Sequence, residues 1–334
     1  NSGAPDQVNL NGSFFNNQSF FPHFGYAQHM ELTDRNERRK RGLGEPQRMA
    51  KLEDSAAYGN TVLGGDADWV HFDTTVSTSG EQTALAPGYL QASWEKDGRR
   101  YYRYKMDQPM MPFFAYLSAR WDVKKGDWHG VPIEIYFDKK HGYNTDRMIT
   151  SVQKSLDYYT TQFTPYQHKQ VRILEFPGYQ SFAQSFANTI PYSEGIGFIA
   201  DLRDKDDIDY VFYVTAHEMA HQWWGHQVIG ANVQGATMLM ESLSQYSALM
   251  VMEKEYGRDK MRRFLRYELD RYLSGRGGEA IEELPLARVE GQQYIHYNKG
   301  SLVFYRLRDE IGEEALNRAL KRYLQDKGYQ QAPF

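Results

Sequence analysis

Residues 217–221 read His-Glu-Met-Ala-His. Two histidines four apart on a helix share one face, one turn apart. Their imidazoles could take one zinc ion between them, and Glu218 would stand beside a water on that ion. Catalytic zinc usually has three protein ligands and one open position. The chain contains no cysteine, so the third ligand must be His, Asp or Glu. Glu241, 20 residues past His221, is the only acid between Glu218 and Glu253, and a helix–loop–helix of that length can fold it back onto the pair. His226 is the alternative, although its position five past His221 points it off the shared face. Zinc with an open position brings the pKa of bound water to about 7. Glu218 could take that proton and hand it to a leaving amine. Hydrolysis of a peptide or amide is the natural reaction, and a donor to the developing oxyanion is the part still required.

These side chains need rigid supports. Residues 210–226 are apolar almost all round, with Val211, Phe212, Val214, Met219, Ala220, Trp223 and Trp224, which predicts a buried helix. Polar groups inside such a helix need partners. The aspartates at 201, 204, 206, 207 and 209 lack the glycine and closing glutamate of an EF-hand and fit the start of that helix. A loop over 228–235 and a helix over about 237–256 then carry Glu241. Upstream, a strand is expected at 133–137. A helix capped by Asn144 or Thr145 follows, with Met148, Ile149, Val152, Leu156 and Tyr159 on its apolar face and Thr164-Pro165-Tyr166 at its end. A strand at 171–176 and a short edge strand at 195–200 complete this part. Helical segments are expected near 258–275, 297–311 and 313–327.

The first third reads differently. Phe14, Phe15, Phe20, Phe21, Phe24 and Tyr26 lie among Asn, Gly and Ser, which suggests irregular or β structure. Asp34 with Glu37 fits a capping box and Gly42 a helix stop. The basic run Arg38 to Arg41 then reads as a solvated helix. No aromatic interleaves it and the net charge is −4, so nothing argues for a nucleic-acid partner. Short alternating strands follow from 66 to 124, such as 69–72 and 100–104, separated by Pro87-Gly88 and Asp97-Gly98. Residues 113–117 are apolar enough for a buried strand. The composition changes at Lys124-Lys125-Gly126-Asp127, which places a division between 1–125 and 126–334. With 334 residues, 41% of them hydrophobic, two domains are reasonable. No apolar run approaches the ~18 residues that cross a bilayer, and no N-terminal signal is visible. The chain opens at Asn1 and stops directly after a helical pattern, as a piece of a longer protein would.

His217-Glu218-Met219-Ala220-His221-Gln222-Trp223-Trp224-Gly225, with Glu241 and Tyr246 beyond it, resembles the M1 family of zinc aminopeptidases in the gluzincin group. Ile295-His296-Tyr297-Asn298-Lys299-Gly300 is similar to the family's Tyr-x-Lys-Gly segment, and Phe163-Thr164-Pro165-Tyr166 to its Pro-Tyr pair. Tyr192-Ser193-Glu194-Gly195-Ile196-Gly197 falls where the family carries Gly-x-Met-Glu-Asn. The resemblance implies one Zn²⁺ on His217, His221 and Glu241, Glu218 as general base and Tyr297 as oxyanion donor. It implies Glu194 as the group that binds the substrate's free amino terminus. It also implies an α+β architecture: an incomplete β-sandwich domain over 1–125, then a thermolysin-like, mainly helical catalytic domain with a small sheet over 126–334, truncated at its C-terminus. Two departures stand out. Nineteen residues separate His221 from Glu241, one more than the family usually has, and this reads as an insertion in the 228–235 loop. Only the glutamate of Gly-x-Met-Glu-Asn is kept. Residues 222–231 and 241–250 look most like the M1-like peptidase domains attached to bacterial ABC-transporter permeases, which implies a membrane-tethered parent. The expected function is a zinc metallopeptidase that releases N-terminal residues. The alternative is a zinc-bearing peptide-recognition or regulatory domain of a transporter with little catalysis.

Overall fold

The computed structural model describes residues 9–21, 31–64, 67–204, 207–279 and 282–330. Phe24 and Tyr26 of the aromatic N-terminal stretch, and Asp206 of the acidic run, lie outside the described residues.

Strands dominate the first third. Among the described residues they are β1 (Ser13–Asn16), β2 (Asp73–Ser79), β3 (Thr83–Leu85), β4 (Tyr89–Lys96), β5 (Arg99–Lys105) and β6 (Ala115–Ala119), with the short helices α1 (Asn17–Phe20) and α2 (Arg35–Lys40). They form two antiparallel sheets, ordered β1-β6-β3 and β2-β5-β4. Phe14, Phe72, Leu85, Tyr104 and Leu117 share a core with Leu174, Phe176 and Phe186 from the following part. Residues 69–72 do not make the expected strand; Val70 forms a single bridge to Met110. The Asp34 side chain caps α2 by accepting from the Glu37 amide. The helix is not wholly solvated, because Arg38 is buried and donates to the Glu31 carboxylate and to the Leu32 and Gly44 carbonyls.

The second part holds a four-stranded sheet, β7 (Asp122–Trp128), β8 (Val131–Phe137), β9 (Val171–Phe176) and β10 (Thr189–Ser193). Its order is β10-β9-β8-β7, with β8, β9 and β10 parallel and β7 antiparallel to β8. The expected division at 125/126 falls inside β7. β9 is buried along its whole length, as suits a strand inside a parallel sheet. Phe182 to Phe186 runs back along β10, with the Gln184 amide donating to the Pro191 carbonyl and the Ser193 amide to that of Phe182.

Helices α3 (Thr145–Gln162), α4 (Tyr210–Ala220), α5 (Leu243–Tyr256), α6 (Arg258–Gly277), α7 (Gly300–Ile311) and α8 (Glu313–Lys327) pack into the larger core. α3 buries Met148, Ile149, Val152, Leu156 and Tyr159, the predicted stripe. Its cap is different: the Asn144 amide donates instead to the Gly197 and Ala200 carbonyls. Those carbonyls belong to the segment expected to be an edge strand. Residues 194–199 are a compact turn, closed by the Gly197 amide on the Ser193 carbonyl and the Ile199 amide on that of Glu194. A Cβ at Gly197 would lie 2.5 Å from the Tyr192 ring, so the turn's close approach depends on glycine.

Candidate metal centre and active site

α4 starts where the Asp209 carboxylate accepts from the Phe212 amide, so the acidic run does supply a helix cap. Val211 to Ala220 are all buried. The helix stops at Ala220, earlier than its apolar pattern suggests. The chain then tightens, with the Gln222 amide on the Met219 carbonyl and Trp223 on Ala220, and Gly225 turns it at φ +132°. The His221 amide still reaches the His217 carbonyl at 3.2 Å, so both imidazoles keep one face.

Glu241 comes back onto that face. Its Oε2 lies 3.4 Å from His217 Nε2 and 3.3 Å from His221 Nε2, and the two Nε2 atoms are 3.0 Å apart. Zinc bonds of about 2.0–2.1 Å in a tetrahedron separate ligand atoms by roughly 3.3 Å. The spacing is therefore that of three ligands around one small ion. Glu241 Oε2 is buried and has no hydrogen-bond donor, a costly state for a carboxylate oxygen that a cation would relieve. His221 Nδ1 lies 2.9 Å from the Trp224 carbonyl and 3.1 Å from Ser244 Oγ. The carbonyl fixes the proton on Nδ1 and leaves the Nε2 lone pair for a metal. Burial alone would lower the His221 pKa, but the Glu241 carboxylate outweighs it and raises it to about 9, so a metal binding at Nε2 must displace a proton from it. Burial raises Glu241 less than the two histidines depress it, so it stays ionised far below the usual range.

Glu218, on the same turn, is buried, and burial pushes its carboxyl up against the opposing pull of His217 and His221. Tyr297 stands across the cluster, its ring centroid 5.9 Å from that of His217. Burial and the adjacent Glu241 carboxylate hold its phenol well above the ordinary value, so it is a donor at any physiological pH. His217, Glu218, His221, Glu241 and Tyr297 are thus brought together.

His226 and Glu194 take other partners. His226 Nε2 faces the Ser185 carbonyl at 2.9 Å, and burial lowers its pKa to about 4; it is a packed neutral histidine. Glu194 accepts from the Gly178 amide at 2.7 Å and lies 3.7 Å from His141 Nδ1, which also pairs with Glu175. His141, Glu175 near the C-terminal end of β9, and Glu194 form a second cluster of potential ligand atoms.

The supports were invisible in the motif. Gln222 donates to Ser185 Oγ at 2.6 Å and to the Phe186 carbonyl at 2.9 Å, and accepts from the Asn188 amide at 3.0 Å, tying the segment beside β10 to the end of α4. Glu241 and Tyr297 both sit in wide π-turns, Met238–Ser242 and Tyr294–Lys299, which frequently mark functional sites. Ser242 and Gly300, which flank the two motifs, meet where those turns touch.

The family model described as Peptidase family M1 domain matches residues 147–333. Human (Homo sapiens) endoplasmic reticulum aminopeptidase 2 is 25% identical over 211 residues, 61% of this chain and 22% of that protein. Probable aminopeptidase 1 of Sulfurisphaera tokodaii is 26% identical over 185 residues, 53% of this chain and 23% of its own length. The chain thus spans less than a quarter of these curated relatives. The M1 zinc metallopeptidase of Deinococcus radiodurans superposes with a TM-score of 0.61 at 18% identity, covering 80% of this chain and 58% of that one, and so shares the fold.

Proposed function

The chain belongs to peptidase family M1, and from that premise we propose that it is a zinc metallopeptidase that releases N-terminal residues from peptides. The observation that carries the reading is the triangle of His217, His221 and Glu241 ligand atoms with 3.0–3.4 Å sides. These three residues would hold one zinc ion. Zinc there supplies a Lewis acid that lowers the pKa of bound water towards neutrality.

The chain's own residues do the rest. Glu218 accepts the proton of the attacking water and delivers it to the leaving amine. Its burial supports this by keeping its proton affinity above that of a surface glutamate. The Tyr297 hydroxyl donates to the oxyanion of the tetrahedral intermediate. Glu194 is the group we assign to the substrate's ammonium, on the strength of the sequence resemblance. Its carboxylate has acceptor sites beyond those facing Gly178 and His141, which an ammonium can use.

The test is metal content followed by aminoacyl fluorogenic substrates beside an N-blocked internal peptide. Turnover of free-amine substrates by protein carrying one zinc supports the proposal. Cleavage of the blocked peptide alone makes the protein an endopeptidase. Zinc with peptide affinity and no turnover makes it a recognition module.

We also propose a division into a β part and a peptidase part, with β7 (Asp122–Trp128) belonging whole to the second because it pairs with β8; the family match to residues 147–333 supports this. The likeness of residues 222–231 and 241–250 to permease-attached peptidase domains supports a membrane-tethered parent. No helix among the described residues is long and apolar enough to cross a membrane, so the tether would be a permease portion outside these residues. Recovery of the full-length protein wholly in the aqueous fraction after cell fractionation refutes that placement.

A further inference from the structure

We propose that Ser242 is a positioning residue that sets Tyr297 against the metal-ligand cluster by holding the His296 carbonyl. The inference rests on the peptidase reading for the role of Tyr297, and on geometry alone for the contact.

Ser242 directly follows Glu241, and His296 directly precedes Tyr297. Ser242 is fully buried, and its Oγ donates to the His296 carbonyl at 2.6 Å. One short hydrogen bond thus spans from the turn of the third ligand to the turn of the oxyanion donor. A serine in a helix usually bonds back to a carbonyl of its own helix. Ser247 does so to Leu243 and Ser301 to Tyr297, each at 2.7 Å. Ser242 reaches to another element instead.

The Gly300 amide bonds to the Ile295 and Tyr297 carbonyls and not to that of His296. A carbonyl oxygen has two lone pairs, and Ser242 supplies this one with a donor from another element. Gly300 permits the approach, since a Cβ there would fall 2.7 Å from Ser242 Cβ and closer still to Oγ. On the far side of the turn, Asn298 Nδ2 donates to the buried Glu268 carboxylate at 2.7 Å. The Tyr297 segment is therefore held on two sides. Ser242 is the side that refers it to Glu241.

Ser242→Ala removes the donor, and Ser242→Cys removes most of it while keeping the volume. In the zinc-loaded protein each should lower kcat by on the order of ten- to a hundred-fold, the range that a small misplacement of a catalytic group produces. KM and zinc stoichiometry should be unchanged. In a Tyr297→Phe background, either substitution should change kcat by less than about two-fold, because there is no hydroxyl left to position. Hydrogen exchange of amides 294–299 should accelerate in both variants. This readout is independent of turnover, so it tests the tie even where no substrate is cleaved and the peptidase reading itself has failed. An undiminished kcat loss in the Tyr297→Phe background overturns the proposal. Loss of zinc in the Ser242 variants, or unchanged exchange over 294–299, overturns it too.

Discussion

Gly300→Ala isolates the close approach between the two site-bearing turns. Gly300 has ordinary helical angles, φ −56° and ψ −47°, so alanine meets no backbone strain there. Helix propensity alone favours the substitution by about 1 kcal/mol. Against it stands the new methyl, 2.7 Å from Ser242 Cβ and nearer to Oγ, in a core with no free space. Overpacking of this kind costs about 1–3 kcal/mol. Displacing Ser242 Oγ also forfeits its bond to the His296 carbonyl, about a further 1 kcal/mol. Steric and hydrogen-bond costs therefore exceed the propensity gain, and the net effect is a loss of about 1–3 kcal/mol. Thermal denaturation of the metal-loaded protein should show a Tm lower by a few degrees. Adding Ser242→Gly removes the obstructing atoms. The double variant should then be more stable than the sum of its single effects by about 1 kcal/mol or more. A raised Tm in Gly300→Ala, or strict additivity with Ser242→Gly, would show that the turns do not touch as described and would refute the reasoning.

Glu218→Gln should lower kcat by about 10²–10⁴-fold, roughly 3–5 kcal/mol of barrier, while atomic absorption still finds one zinc; retention of more than a tenth of wild-type turnover removes Glu218 as the base. Burial raises the Glu268 carboxyl to about 7, against the opposing bond from Asn298. Its proton is held more tightly in the folded state, so the associated stability is complete below about pH 4.5 and is lost as pH rises through 7. Glu268→Gln should therefore gain on wild type by up to about 3 kcal/mol between pH 4.5 and 8 in denaturant titrations; a pH-independent difference contradicts the burial argument. Glu194→Gln should raise KM for free-amine substrates and spare kcat. An unchanged KM takes Glu194 out of the substrate site and leaves it to the His141–Glu175 cluster.

Where periodicity alone decides a structure, the sequence was readable. The α3 stripe, the buried β9 run and α8 between Gly312 and Gly328 follow from spacing and punctuation. The histidine pair followed from the four-residue repeat. The failures have local causes. Residues 195–200 look like a short edge strand because four of the six are apolar, but the Asn144 side-chain amide bonds to the Gly197 and Ala200 carbonyls and holds a turn. Arg38 looks solvated in a basic run, yet two carbonyls and Glu31 satisfy it in the interior.

The interval between His221 and Glu241 bears on how the third ligand is held. It is one residue longer than the resemblance to family M1 leads one to expect, and the 228–235 loop was the natural place for the extra residue. That loop has little slack. Val228, Ile229, Ala231 and Val233 are buried. Its backbone is tied to another segment at residue after residue: the Val62 amide to the Gly230 carbonyl, Asn232 to Asn60, Gln234 to Ala50 and Gly235 to Val289. A helix, by contrast, takes up one extra residue as a π-turn without moving its ends, and the π-turn of this helix is Met238–Ser242, around Glu241 itself. Ser242 closes that turn, and its Oγ donates to the His296 carbonyl, so the turn that carries the third ligand also carries the tie to the segment of the oxyanion donor.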